Sequence, residues 1–160
     1  MKVILLTLLL TIGFGGCKAQ SSVIKRGYAF YKPINYGAQM RDLDGKPVNR
    51  KDTSYFLYLE TKAGAKPEIH SVLFEGKLFT AGVFPVQGSK VEVGKLMNDQ
   101  KVWITKQSGN SMWLVELHPA EGVVKHKGSS KNITVVGTIN KKTFQFKLTK
   151  AIALQGDIMG

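Results

Sequence analysis

The sequence predicts an all-β protein, either a single antiparallel β-sandwich or a small barrel. Apolar and polar residues alternate over short runs, which is the spacing of strands with one buried face. Gly, Pro, Asn and Asp separate these runs, and helical spacing of apolar residues is hard to find. Many short strands at this spacing favour a layered antiparallel fold over an α/β arrangement.

The alternating runs place the predicted strands along the chain. The run Tyr55 to Leu59 is rich in aromatic and branched side chains, and we expect it to pair with the following run across the turn-like segment Lys62 to Pro67. Glu75-Gly76-Lys77 is predicted to close a tight turn, because Gly tolerates the backbone that such turns need. In chain order, the predicted strands are Val23 to Tyr31, Tyr55 to Leu59, Ile69 to Phe74, Leu78 to Thr80, Val83 to Val86, Val91 to Val93, Lys101 to Lys106, Met112 to His118, Asn132 to Ile139 and Thr143 to Leu154.

Two of these strands indicate where the core lies. The strand Tyr55 to Leu59 is apolar on both faces. It is therefore either a central strand covered on both sides, which is the commoner case, or a strand with one face free as a binding patch. On the strand Met112 to His118, Trp113, Val115 and Leu117 share one face and are predicted to be buried.

Two connecting segments have more than one interpretation. Gly37 to Thr53 is a long polar connection, and Asp42-x-Asp44-Gly45 within it resembles the start of a calcium loop. Position twelve of that loop would be Thr53 instead of a bidentate Glu, so a plain turn is favoured. Val93 to Asp99 fits a single helical turn, although Gly94 disfavours helix there.

The first residues predict export. Lys2 precedes a run from Val3 to Leu10 that is apolar apart from Thr7, which suits the translocon but is too short to span a bilayer. Phe14-Gly15-Gly16-Cys17 resembles the lipobox of bacterial lipoproteins, with Phe14 where Leu is usual. This resemblance implies cleavage before Cys17, the only cysteine in the chain, and lipidation of that residue. The alternative is an ordinary signal peptide cleaved after Ala19 or Gln20.

The predicted organisation is a lipoprotein signal peptide over residues 1–16, a lipidated tether over residues 17–22 and a single β domain over residues 23–160. Through its lipobox followed by Lys-Ala-Gln, and through Leu59-Glu60-Thr61 at the end of an aromatic strand, the chain resembles small exported Bacteroidota proteins of unassigned function. The resemblance implies a lipoprotein with an immunoglobulin-like or related β fold. Lys18 follows the Cys in place of an acidic cluster, which favours an outer-membrane anchor facing the periplasm.

The chain is strongly basic, with 23 Lys+Arg against 11 Asp+Glu and a net charge of +12. Removal of the signal takes Lys2 away, so the mature part carries about +11. Such a surface attracts lipid head groups, acidic glycans and nucleic acid alike. A solvated surface near an anionic envelope is favoured over a specific anion site, and nucleic acid is not expected as a partner in the exported compartment.

Candidate chemistry rests on one pair of residues. Glu116 and His118 share a strand face and stand side by side, as an acid–base pair or two metal ligands would. A surface ion pair at a strand end is the favoured interpretation, because Pro119 follows. A zinc site would need His126 as a third ligand, and the positive charges of the flanking Lys125 and Lys127 would repel a divalent cation. We therefore expect no catalytic residue, metal or cofactor.

Trp103 is the preferred exposed aromatic, because it alternates with Lys101 and Thr105 on the side opposite Val102 and Ile104. Together with Lys125 and Lys127 it forms the predicted binding residues. The expected function is a lipid-anchored envelope module that binds or assembles with a protein or an acidic glycan or lipid, without catalysis. The alternative is a periplasmic hydrolase or metal-dependent enzyme centred on Glu116 and His118.

Overall fold

The computed structural model describes residues 23–36, 41–46, 52–120 and 132–159. These residues form eleven strands and no helix, which confirms the predicted all-β class. The strands are β1 (Ile24–Tyr36), β2 (Asp52–Lys62), β3 (Glu68–Phe74), β4 (Lys77–Val86), β5 (Lys90–Lys95), β6 (Lys101–Thr105), β7 (Asn110–Pro119), β8 (Ile133–Ile139), β9 (Lys142–Leu148), β10 (Ala151–Ala153) and β11 (Asp157–Met159).

Most of these strands belong to one curled sheet that forms a half-barrel. The strand order is β10-β1-β2-β7-β4-β3-β8-β9, and β11 also pairs with β1. Neighbouring strands run antiparallel, except that β10 and β11 run parallel to β1. The sheet curls at β4, which pairs with β3 only over Lys77–Phe79 but with β7 as far as Val86.

The inner face of the curled sheet carries the larger core cluster. Leu57 and Leu59 of β2, Val115 of β7, Val72 of β3 and Val135 of β8 are all fully buried in it. They meet because residues directly opposite on neighbouring antiparallel strands share a face, as Leu57 and Val115 do. Burial of branched side chains from four strands explains why the sheet curls around this cluster.

The outer face carries a second core cluster under the hairpin of β5 and β6. Phe30, Phe56 and Met112 of the sheet are buried there against Ile104 of β6, with Leu154 beside them. Phe30 and Phe56 stack with ring centroids 5.7 Å apart. Strand β2 is therefore covered on both faces, which confirms the preferred interpretation of its doubly apolar sequence.

One close contact brings the ends of the curled sheet together. A side chain at Gly27 of β1 would collide with the Phe146 ring of β9 and crowd Leu148. Glycine at this position lets β9 approach β1 although the two strands are not neighbours in the sheet order. Both core clusters and every described strand lie between residues 23 and 159, so a chain that starts at residue 23 contains the whole described fold.

Two predicted turns are confirmed. Glu75 and Gly76 join β3 to β4 with φ angles of 49° and 77°, the left-handed pair that a two-residue hairpin requires. The Asp42 carboxylate accepts hydrogen bonds from the backbone N–H groups of Asp44 and Lys46 at 3.0 and 2.8 Å. That arrangement is an Asx-type turn, as favoured over a calcium loop.

Other sequence-based expectations were wrong. The strands β2 and β3 do not pair, since β2 lies between β1 and β7 whereas β3 lies between β4 and β8. The predicted strand Thr143 to Leu154 is two strands, β9 and β10, and β11 was not predicted. Val93 to Asp99 contains the end of β5 and a turn instead of a helical turn. Val115 and Leu117 are buried as predicted, but Trp113 is only half-buried.

No helix long and apolar enough to cross a membrane occurs in the described parts of the chain. The predicted signal peptide, Cys17 and the tether lie outside the described residues, as do Lys125, His126 and Lys127.

Candidate functional site

The outward face of the β5–β6 hairpin presents the exposed aromatic that the sequence predicts. Ile104 points into the outer core and is 3% exposed, while its neighbour Trp103 on the opposite face is 45% exposed. The alternation of strand side chains places Trp103 on the same outward face as Lys101 and Thr105. Cross-strand pairing adds Glu92, which lies opposite Trp103.

Two ammonium groups flank the indole of Trp103. Lys90 Nζ lies 4.6 Å from the ring centroid and Lys101 Nζ lies 5.8 Å from it, within cation–π range. Lys101 Nζ also bridges the Glu92 carboxylate at 3.0 Å. We call this group of Lys90, Glu92, Lys101 and Trp103 the Trp103 face. It combines an exposed flat apolar ring with positive charge, which suits a ligand that has both an apolar surface and an anionic group.

The Trp103 face is attached to the beginning of the domain. Arg26 of β1 donates a hydrogen bond from Nη2 to the carbonyl oxygen of Thr105 at 3.2 Å. Thr105 is two residues beyond Trp103 on β6, and Arg26 is two residues beyond the first residue of β1. The hairpin therefore lies beside the point at which the chain enters the sheet.

A buried carboxylate holds this attachment in place. Glu60 of β2 is fully buried and accepts hydrogen bonds from Arg26 Nε at 2.8 Å, the Gln107 N–H at 3.0 Å and Asn110 Nδ2 at 2.6 Å. Burial alone would raise the pKa of Glu60, but the bonds from Asn110, Gln107 and Arg26, together with the Arg26 charge, outweigh it and hold the pKa below its usual value. Glu60 thus joins β1, β2 and the connection between β6 and β7.

The sequence interpretation missed Glu60 as a structural centre, although one signal was available. Once β2 is taken as a strand covered on both faces, a carboxylate within it must be buried and needs a cation. Local sequence does not indicate that Arg26 is that cation, because the pairing of Arg26 with Glu60 joins residues 34 positions apart.

Glu116 and His118 lie in a different place, in a groove on the outer face of the sheet. The groove has a volume of about 1010 Å³ and crosses β1, β2, β7 and the start of β4, with Val93 of β5 at its boundary. Phe56 and Tyr58 contribute to its lining, and Glu116 and His118 are exposed along it. Trp103 is not among the described residues that line it.

Local chemistry in the groove is modest. Gly82 of β4 lies opposite Glu116, and the Phe84 ring of the same strand covers the position that a side chain of Gly82 would take. Burial and, to a smaller extent, the nearby Glu116 carboxylate raise the pKa of Tyr58, so its phenol stays protonated at neutral pH. Among the described contacts, no hydrogen bond joins Glu116 to His118, and no three His, Cys, Asp or Glu side chains of the described residues converge as a metal site.

A third polar cluster surrounds His70 on β3. The Thr138 hydroxyl donates to Glu68 Oε2 at 3.1 Å and lies 3.4 Å from His70 Nε2. The β3 and β8 register shifts between Ile69 and Ser71, so His70 is the extra residue of a bulge. His70 is not among the described residues that line the groove beside His118.

No protein-family model, curated protein or solved structure matches the chain. The Trp103 face and the groove are therefore the two features of the described chain that bear on its function.

Proposed function

We propose that this protein is a lipid-anchored envelope module that binds an anionic partner through the Trp103 face and performs no catalysis. The observation that carries this proposal is the exposed indole with two ammonium groups 4.6 and 5.8 Å from its ring. An acidic glycan or a lipid head group next to an apolar surface has the matching chemistry, since it supplies both an anion and an apolar face.

The charge of the whole chain supports the same class of partner. Positive charge exceeds negative charge about twofold, so the domain attracts anionic surfaces before any specific contact forms. Charge alone gives little selectivity, whereas an exposed aromatic ring adds a contact that depends on the shape of the ligand. The proposed binding site is therefore the Trp103 face in particular, with general basicity bringing the partner to it.

Binding at this face is tested with a chain that starts at residue 23. We would measure its retention on an immobilised acidic polysaccharide and its co-sedimentation with anionic vesicles, for the unchanged sequence and for Trp103→Ala. Phe84→Ala is the matched control, because Phe84 is 48% exposed against 45% for Trp103. We expect Trp103→Ala alone to weaken binding to at least one of the two surfaces. Equal binding by all three proteins would refute the proposal.

The anchor is tested separately in the full chain. Lipidation at Cys17, with several acyl chains on one residue, would hold the protein on a membrane durably. Cys17→Ser should move the protein from the membrane fraction to the soluble envelope fraction. A variant that remains on the membrane, or an unmodified chain found by mass spectrometry to begin after Ala19 or Gln20, would contradict lipid anchoring.

A second candidate function is a periplasmic hydrolase or metal-dependent enzyme centred on Glu116 and His118. The observation that favours it is that both side chains line the same groove of about 1010 Å³. A deletion strain complemented with Glu116→Gln or His118→Ala tests it, with Glu75→Gln and His70→Ala as controls at exposed positions outside the groove. Normal function in both groove variants supports binding, whereas loss in both with intact folding supports catalysis or metal binding.

A further inference from the structure

We infer that the partner of the Trp103 face is the anionic surface of the bilayer that carries the lipid anchor, so that the domain lies against its own membrane. This inference rests on the proposed function, and it names the partner that binds at the same site. Three features support it: the position of the face relative to the anchor, the basic residues between them, and the chemistry of the indole.

The position of the face follows from the contact between β1 and β6. Cys17 is seven residues before Ile24, and an extended chain spans at most about 3.6 Å per residue, so the start of β1 stays within roughly 25 Å of the lipid. Arg26 Nη2 lies 3.2 Å from the carbonyl oxygen of Thr105. Trp103 is two residues before Thr105, which is about 7 Å along the strand. A lipid on Cys17 therefore keeps the Trp103 face within reach of the bilayer.

Basic residues lie around the start of β1 and the Trp103 face. Lys25 precedes Arg26 on β1, Lys62 ends β2 at the same end of the sheet, and Lys90 lies opposite Thr105 on the hairpin; all three are exposed. Two carboxylates of the same region are already paired, Glu60 with Arg26 and Glu92 with Lys101. The lysines at this end of the sheet are thus placed to meet lipid phosphate.

The indole favours a bilayer over a glycan as the partner. Trp is enriched at membrane–water interfaces, where its apolar ring and its N–H group meet different environments, and lysine stems cover apolar surface while their ammonium groups stay hydrated. An anchored domain also meets its membrane at high effective concentration, so weak contacts suffice to hold an orientation. An acidic glycan has no comparable link to the start of β1.

Tryptophan emission tests the orientation directly. The chain has two tryptophans, so Trp103→Phe leaves only the half-buried Trp113 as a reporter. The protein starting at residue 23 is mixed with vesicles of phosphatidylglycerol and phosphatidylethanolamine, and with phosphatidylcholine vesicles for comparison. We expect a blue shift and quenching by brominated lipid with the anionic vesicles only, and neither change in Trp103→Phe.

Two single lysine substitutions test whether the lysines near the start of β1 contact the membrane. Lys90→Ser should raise the apparent dissociation constant for anionic vesicles roughly fivefold, because each lysine near an anionic surface contributes about that factor. Lys77→Ser is the control, since Lys77 is an exposed lysine at the β3–β4 turn, at the other end of the sheet. Equal effects of the two substitutions would refute the proposed orientation. Circular dichroism confirms that each variant keeps the strand signal.

The failures of the two proposals are distinguishable. An emission change with acidic polysaccharide but not with vesicles would overturn the membrane inference and leave the proposed binding function standing. Vesicle binding without quenching of Trp103 by brominated lipid would show that another face touches the bilayer. Absence of any response to either surface would overturn both proposals.

Discussion

At the scale of single residues, Glu60 is the clearest example of a side chain whose environment decides its role. Its carboxylate has no exposed surface, and every described polar contact to it comes from a different element of the fold. A buried carboxylate without such partners would be protonated or would destabilise the sheet. The partners keep it ionised, so the charge itself stabilises the junction between the hairpin and the sheet.

We expect Glu60→Gln to lower the free energy of unfolding by about 2–3 kcal/mol at pH 7, because charged hydrogen bonds are lost while Arg26 remains. Glu92→Gln should cost less than about 1 kcal/mol, since its pair with Lys101 is exposed. Urea unfolding of the three proteins measures both values. Equal losses in the two variants would show that burial of Glu60 is not what makes its pair important.

The lowered pKa of Glu60 makes the free energy of unfolding depend on pH. In the folded state this carboxyl binds its proton at lower pH than in the unfolded chain, because its hydrogen-bond donors and the Arg26 charge lower its pKa. Its contribution to stability is therefore complete above the unfolded pKa and is lost as the pH falls through the folded pKa. The difference in free energy of unfolding between the unchanged protein and Glu60→Gln should therefore become smaller as the pH falls. A constant difference from neutral pH to pH 3 would contradict this.

At the scale of secondary-structure elements, β2 shows what local sequence determines and what it does not. Its alternation of aromatic and branched side chains predicted a strand, and its two apolar faces predicted a central position; both predictions are confirmed. The sequence predicted that β2 pairs with the following strand, but β2 pairs with β7, where Leu57 lies opposite Val115. The periodicity of one run cannot identify a partner so distant along the chain. The site shows the same limit: alternation located Trp103, but only the fold places it beside Arg26.

The two faces of β2 can be tested against each other. Leu57→Ala removes a fully buried side chain from the inner core and should cost about 2–5 kcal/mol, and Phe56→Ala removes a ring from the outer core and should cost about 3–5 kcal/mol. Leu43→Ala, at a fully exposed position, should leave stability unchanged within about 0.5 kcal/mol. Urea unfolding measures all three. A negligible effect of Phe56→Ala would mean that the hairpin of β5 and β6 does not form a second core.

At the scale of the whole molecule, the charge excess and the Trp103 face contribute to binding in different ways. Exposed charges act over a Debye length that falls from about 30 Å at 0.01 M salt to about 3 Å at 1 M. The indole acts by contact, and removal of apolar surface from water does not depend on charge screening. Salt therefore separates the general attraction of a basic domain from the contact made by Trp103.

We expect binding of the chain from residue 23 to anionic vesicles to weaken steeply as salt rises, because lysines supply most of the long-range attraction. Trp103→Ala should lower the affinity by a similar factor at every salt concentration, leaving the slope of log affinity against log salt unchanged. Lys90→Ser should instead make that slope shallower, since one charge contact is lost. Co-sedimentation over a salt series measures both slopes. If Trp103→Ala removed the salt dependence as well, the indole would act by holding the Lys90 and Lys101 ammonium groups in place instead of touching the membrane.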